Sequence, residues 1–223
     1  MIERCNYLFE SRVMIELGII TGPAGRGKTT AVQHYVTQTP HSIYMRFNED
    51  MRYGNRIYSE VAYRLTGTRP EKTRQAWQIV EKAMTERRWL LFFDEADRMS
   101  LRHLNALRDL HDNFNVPVIF VGEEPLIDKV DSERRLSDRL GFRIKFNPVN
   151  EVDIVLTFKV FEVCLEVLDK ESLQKALELI KTKSNGTFRP VVSLARETKR
   201  IMRVNSLDKI SLDVIQTVCK GVK

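Results

Sequence analysis

The sequence predicts an α/β fold: a parallel sheet layered between helices, followed by a small all-helical subdomain. Three observations predict it. Short apolar runs alternate with helix-period segments over the first two-thirds of the chain. A glycine-rich turn joins the first such run to the first such helix. After Asn147-Pro148 the strand-like runs stop and only helical stripes remain. Strand–helix alternation implies parallel pairing, because a parallel neighbour is reached only through a crossover. The expected organisation is an α/β core over residues 1–148 and a helical subdomain over residues 149–223.

Each element has its own signal. Residues 14–21 carry Ile15, Leu17, Ile19 and Ile20 and read as a buried strand. After the glycine turn, a helix covers residues 28–37. Residues 41–47 alternate, with Ile43, Met45 and Phe47 on one side, and form a second strand. Helices follow over residues 56–66 and 70–87, then a short apolar strand over 89–93. Ser100 is placed to cap a helix that carries Leu101, Leu104, Leu107, Leu110 and Phe114 on one stripe. Residues 116–121 and 142–146 supply the last two strands. In the second part, Phe158, Phe161, Leu165 and Leu168 share one helical stripe. Leu173, Ala176, Leu177 and Ile180 form another, and Val191, Leu194, Ala195 and Met202 a third. Residues 212–218 make a fourth helix.

Composition narrows the class. A chain of 223 residues can bury a sizeable core, and 43% apolar with 30% charged residues is the balance of a soluble globular protein. No apolar run approaches the ~20 residues that span a bilayer, and residues 1–10 lack a secretory pattern. A cytoplasmic protein without membrane association is expected. Cys5, Cys164 and Cys219 are odd in number and far apart, so they read as free thiols in a reducing compartment. The net charge is +6. Between Lys181 and Arg203 seven positive residues face Glu197 alone, which equals the whole surplus. Residues 46–74 hold a second basic cluster. Either is compatible with a polyanion or with solvated helix faces.

Gly22-Pro23-Ala24-Gly25-Arg26-Gly27-Lys28-Thr29, followed by Thr30, fits the phosphate-loop pattern G-x-x-x-x-G-K-[ST]. A chance match in such a chain is roughly one in a hundred. The glycines let successive N–H groups converge on phosphate oxygens, and the following helix adds its positive dipole end. Lys28 can reach the β- and γ-phosphates of ATP, and the Thr29 hydroxyl can ligate Mg2+. The run Leu90-Leu91-Phe92-Phe93 ends in Asp94-Glu95. Asp94 suits the Mg2+ shell opposite Thr29, and Glu95 suits the general base that polarises the attacking water. Asp97 is expected to be a capping or surface acid.

Asp94-Glu95-Ala96-Asp97 also spells the DEAD-box letters, but those enzymes need two recA-like domains and this chain has room for one. The N-K-x-D guanine motif and the transporter signature L-S-G-G-Q are missing from the sequence. Downstream, Asn185-Gly186-Thr187-Phe188-Arg189-Pro190 resembles the AAA+ sensor-2 motif G-x-x-R, in which Arg189 would touch the γ-phosphate. Arg139 and Arg143 stand where AAA+ proteins place the arginine finger offered to a neighbouring subunit, and the alternative for both is an intramolecular ion pair. At the sensor-1 position only Glu123 is polar.

The stretches GPAGRGKTTAV, LLFFDEADRMS, LNALRDLHDNFNVPVIFVGEEPL and NGTFRPVVSLAR together resemble one AAA+ branch. It comprises the transposition ATPases related to the phage Mu B protein, the TnsC and IstB proteins, and the ExeA-like ATPases. The resemblance implies a P-loop AAA+ core with a helical lid, and an ATPase that binds DNA without sequence preference. It further implies self-assembly into a head-to-tail ring or filament, and delivery of target DNA to a DDE transposase. Only about a dozen residues precede the first strand, so no counterpart of the extra N-terminal DNA-binding domain of Mu B is expected in this sequence, and DNA contact would rest on the core. Arg52 and Arg56, with Tyr53 and Gly54 between them, and Arg102 with Arg98 and His103 are the residues expected there. Two other readings stay open: an ExeA-like ATPase that remodels a protein partner, and a helicase or replication loader.

Overall fold

The computed structural model describes residues 1–10, 17–52 and 56–221, apart from the side chains of residues 4, 8–10, 50 and 52. The described chain divides into two compact units: Met1–Pro23 with Lys28–Phe146, and Ala24–Gly27 with Asn147–Lys223.

The first unit opens with α1 (Ile2–Glu10) and β1 (Leu17–Thr21), then α2 (Lys28–Gln38) and β2 (Ser42–Arg46). α3 (Arg56–Thr66) and α4 (Thr73–Glu86) precede β3 (Leu90–Asp94) and α5 (Leu101–Phe114). β4 (Val118–Gly122), α6 (Pro125–Asp131), α7 (Arg134–Ser137) and β5 (Leu140–Lys145) complete it, with 3-10 turns at Glu49–Arg52 and Ala96–Arg98. The five strands form one sheet in the order β2-β3-β4-β1-β5, and each pairing is parallel. The expected α/β fold with a parallel sheet is therefore what the chain adopts.

Strand alternation explains why helices cover both faces. Leu91, Phe93, Val118 and Phe120 enter the cluster that includes Leu104, Leu107 and Val80. Their neighbours Leu90, Phe92, Ile119 and Val121 enter the opposite cluster with Val32, Tyr35 and Cys5. Successive side chains of a strand point to opposite faces, so strands apolar at every position need a layer on each side. Truncating one of these buried phenylalanines to alanine typically costs ~3–5 kcal/mol. Because every strand runs the same way, all carboxyl ends gather at one edge. Ligands of open α/β sheets sit outside that edge, where strand order reverses. Here the chain leaves β1, runs from β2 through β3 and β4, and then skips past β1 to β5.

The second unit contains α8 (Glu151–Val160), a 3-10 turn at Leu165–Val167, α9 (Lys170–Ser184), α10 (Phe188–Val204) and α11 (Leu212–Gly221). Its core joins Ile154, Phe158, Leu177, Ile180, Val191, Leu194 and Ile215. One expectation fails here. Phe158, Phe161, Leu165 and Leu168 do not share one helix. α8 stops at Val160, Glu162 takes a left-handed φ of 57°, and Val163 N–H donates back to Phe158 O at 3.0 Å. The four side chains still reach one core, so burial reproduced a helical period across a helix end.

Other differences are at boundaries. Residues 14–16 of the first expected strand lie outside the described residues. β3 extends to Asp94, which pairs in register with Arg46, and β5 starts at Leu140. α6 and α7, of seven and four residues, are too short for a helical period to show in the sequence, and α1 also escaped the sequence reading. Ser100 caps α5 as expected, with His103 answering it: Ser100 N–H donates to His103 Nδ1 at 3.2 Å. Each cysteine is a free thiol, Cys5 being buried and Cys164 exposed.

Candidate nucleotide-binding site

The glycine turn begins where β1 ends. Phe146 N–H donates to Thr21 O at 2.7 Å, which brings the backbone after β5 against Gly22. Gly22 has φ 151°, and a Cβ placed on it would lie 2.8 Å from Phe146 O. No side chain fits without moving backbone. Gly25 and Gly27 take φ 77° and 87°, conformations that side chains disfavour. α2 starts at Lys28, so the orphan N–H groups of its first turn open onto the loop. Lys28 is buried, and its ammonium donates to Gly22 O at 2.5 Å and Pro23 O at 3.0 Å. Within the second unit, Gly25 O accepts from Phe188 N–H at 2.8 Å, and Asn185 O accepts from Arg26 at 3.5 Å.

At the end of β3 the Asp94 carboxylate is buried and accepts from three donors. Its Oδ2 accepts from Thr29 Oγ1 at 2.6 Å and from Tyr44 OH at 2.7 Å, and its Oδ1 accepts from Glu95 N–H at 2.9 Å. The loop threonine and the strand-end aspartate, expected to share a cation, are thus in direct contact. Glu95 sits at φ 56°, a left-handed conformation that non-glycine residues adopt at a cost. Its carboxylate accepts from Arg46 Nε at 2.7 Å, again from Arg46 Nη2, and from Arg98 Nη1 at 2.5 Å. Arg98 also pairs with Glu49 at 2.9 Å. Burial by itself would raise the Glu95 carboxyl. The hydrogen bonds and charges of Arg46 and Arg98 together outweigh it and hold the group below its ordinary range. Tyr44 moves the other way: burial first, then its bond to Asp94, pushes the phenol well above its usual value.

Thr29 and Asp94 offer oxygen donors suited to a hard cation. Among the described residues no group of three or more His, Cys, Asp or Glu side chains is placed to hold a metal. A cation here would depend on nucleotide phosphates and water for its remaining ligands, which is how Mg2+ is usually bound.

The remaining candidates fall into three groups. Ala24 and Thr30 are exposed in the loop and the first turn of α2. Arg189 is exposed in the first turn of α10. Arg56 and Arg102 are exposed at the starts of α3 and α5, whereas the Arg52 side chain, Tyr53 and Gly54 lie outside the described residues. Arg139 donates to Asp112 at 2.6 Å, and Arg143 to Asp131 at 2.8 Å, so both finger candidates pair within the chain. Glu123 is exposed, and its N–H donates to Asp97 Oδ1 at 3.0 Å. Asp97 is therefore a brace between the ends of β3 and β4. Four residues of the site escaped the sequence reading: Tyr44, Arg46, Arg98 in its role on Glu95, and Asp97. A groove of about 700 Å3 lies elsewhere, in the second unit, against Lys175, Leu179, Lys183 and Cys219.

A glycine turn ahead of a helix, with its threonine on a buried strand-end aspartate, defines a P-loop nucleotide-binding protein. The AAA domain family matches residues 16–130, more than half of the chain, and the chain belongs to that family. It is thus an AAA-family ATP-binding protein. A Staphylococcus aureus relative described as a potential ATP-binding protein is 33% identical over 135 residues, or 57% of this chain and 48% of the relative. The chain therefore spans about half the length of that relative. Among solved structures it is similar to the Aeropyrum pernix ORC2 protein, solved with ADPNP and ADP. The TM-score is 0.71 at 14% identity, over 99% of this chain and 66% of that one. It is also similar to the Thermotoga maritima RuvB Holliday junction branch migration motor, with TM-score 0.62 at 18% identity, over 98% and 67%. These likenesses establish the fold. Among the described residues no helix is long and apolar enough to cross a membrane.

Proposed function

We propose that this chain is a Mg2+-dependent ATPase that binds DNA without sequence preference, assembles with copies of itself and delivers DNA to a transposase. The observation that carries the ATPase part is the Thr29–Asp94 contact with Glu95 next in the chain. Residues 22–30 would cradle the phosphates, with Lys28 exchanging two loop carbonyls for phosphate oxygens. Thr29 and Asp94 would hold Mg2+, which when bound offsets charge on the transferring phosphoryl group. Glu95 would accept the proton of the attacking water once Arg46 and Arg98 release it. Residues 1–148 would form the catalytic core and 149–223 a lid that brings Arg189 to the γ-phosphate.

The DNA part rests on the resemblance to the transposition ATPases, seconded by the exposed arginines. The structural neighbour RuvB, a Holliday junction branch migration motor, is consistent with that reading. Several residues of the basic clusters are paired in the fold. Glu60 holds Arg64 and Arg69, Glu162 holds Lys199, and Glu197 holds Arg200. Arg56 and Arg102 would meet phosphates rather than base edges, which gives affinity without sequence information. In a gel shift on random-sequence duplexes, wild-type protein should bind with ATP and much less without it. Each phosphate contact contributes ~0.9 to the log–log salt slope, so Arg56→Ala and Arg102→Ala should each lower the slope by about that much. Wild-type slopes in both variants on several unrelated duplexes would clear these arginines of DNA contact. No wild-type binding with ATP would instead favour remodelling of a protein partner.

Self-assembly is expected because a finger supplied in trans completes the site only between stacked protomers, and such heterologous contacts close into rings or extend as filaments. Exposed ion pairs of the kind Arg139 and Arg143 make are worth ~0–1 kcal/mol, so either arginine can leave its carboxylate at little cost. ATPase activity per protomer should rise with protein concentration and fall in Arg139→Ala or Arg143→Ala. Turnover independent of concentration would show that a single protomer suffices.

A further inference from the structure

We propose that Tyr44 is a positioning residue for the cation site, its hydroxyl fixing the Asp94 carboxylate against Thr29. The inference rests on the Mg2+–ATP reading and adds a residue that neither sequence motif contains. A carboxylate offers about four acceptor positions. Asp94 has three filled, by Thr29 Oγ1 at 2.6 Å, Tyr44 OH at 2.7 Å and Glu95 N–H at 2.9 Å. One remains for the cation or one of its waters. The three donors come from three separate elements: α2, β2 and the turn after β3. They therefore fix the carboxylate in both position and rotation.

Tyr44 can do this because β2 and β3 are parallel neighbours in register, with Tyr44 opposite Phe92 and Arg46 opposite Asp94. The phenol reaches forward along the sheet to the end of the adjoining strand. Without the Tyr44 bond, Oδ2 would keep Thr29 alone, and Thr29 must also serve the cation. Ligating carboxylates are themselves hydrogen-bonded, and loss of such a partner typically weakens metal affinity ~10–100-fold.

The test uses Mn2+ as the cation and ADP as the nucleotide. Mn2+ binding is read by electron paramagnetic resonance and nucleotide binding by calorimetry, in EDTA and in Mn2+. Tyr44→Phe keeps the ring in the sheet and removes only the hydroxyl. It should leave ADP affinity in EDTA within about twofold while Mn2+ affinity falls ~10-fold. In a double-mutant cycle, Tyr44→Phe should add nothing to Asp94→Asn, because the effect passes through that carboxylate. Unchanged or tighter Mn2+ binding in Tyr44→Phe would overturn the proposal, and so would an equal loss in EDTA or additivity in the cycle. If wild-type protein binds ADP no better with Mn2+ than without, the underlying cation reading fails instead, independently of Tyr44.

Discussion

Lys28→Ala is expected to abolish measurable ATP binding. The ammonium is the cation built into the phosphate loop, and a charge-assisted hydrogen bond contributes about 1.5–3 kcal/mol. Losing two of them lowers affinity by more than ~10²-fold at the conversion of 1.4 kcal/mol per tenfold. The structure adds a second reason. Lys28 bonds Gly22 O and Pro23 O, so it also holds the loop in the curled form that points N–H groups at phosphate. Alanine removes the charge and the brace together. Lys28→Arg should rescue little, since the Lys28 position is buried and a planar guanidinium cannot follow the same short path to both carbonyls. Calorimetric titration with ATP decides the matter. Affinity near that of wild type in Lys28→Ala would remove the phosphate-loop assignment and with it the chemistry built on it.

What was legible in the sequence is what local pattern encodes. The phosphate loop is contiguous, and its glycines announce their conformations. The layered fold followed from the alternation of strands and helices, since a parallel neighbour is reached only through a crossover. The acidic strand end was legible because residue type and position coincide there. Tyr44 and Arg46 were not. They reach Asp94 and Glu95 through the β2–β3 register, and a pairing between segments nearly fifty positions apart leaves no trace in either segment. Asp97 read as a surface acid because its partner is a backbone N–H on another strand end. Which arginines of the basic clusters are paired was not legible either: Glu60, almost wholly buried, holds both Arg64 and Arg69.

Glu95→Gln is expected to bind ATP with Mg2+ and to turn it over ~10²–10⁴-fold more slowly, the usual worth of a positioned general base. The amide keeps the shape and loses the basicity. The arginine clamp sharpens the argument. Glu95 is ionised and doubly bonded by Arg46 and Arg98, and a carboxylate whose proton affinity is held down is a weak base. On the proposed reading the described state is a resting one, and the base would become effective as the arginines are drawn away. The sign for pH follows directly. Removing both cations takes away what disfavours the protonated form, so the carboxyl pKa rises. The acid limb of the pH–rate profile should then move to higher pH in an Arg46→Ala, Arg98→Ala double variant, while turnover on the plateau above it increases. Profiles that superimpose would mean that the two arginines are not on Glu95 in the working enzyme. Turnover retained in Glu95→Gln would place the base elsewhere and leave the clamp a structural feature of the β3 turn.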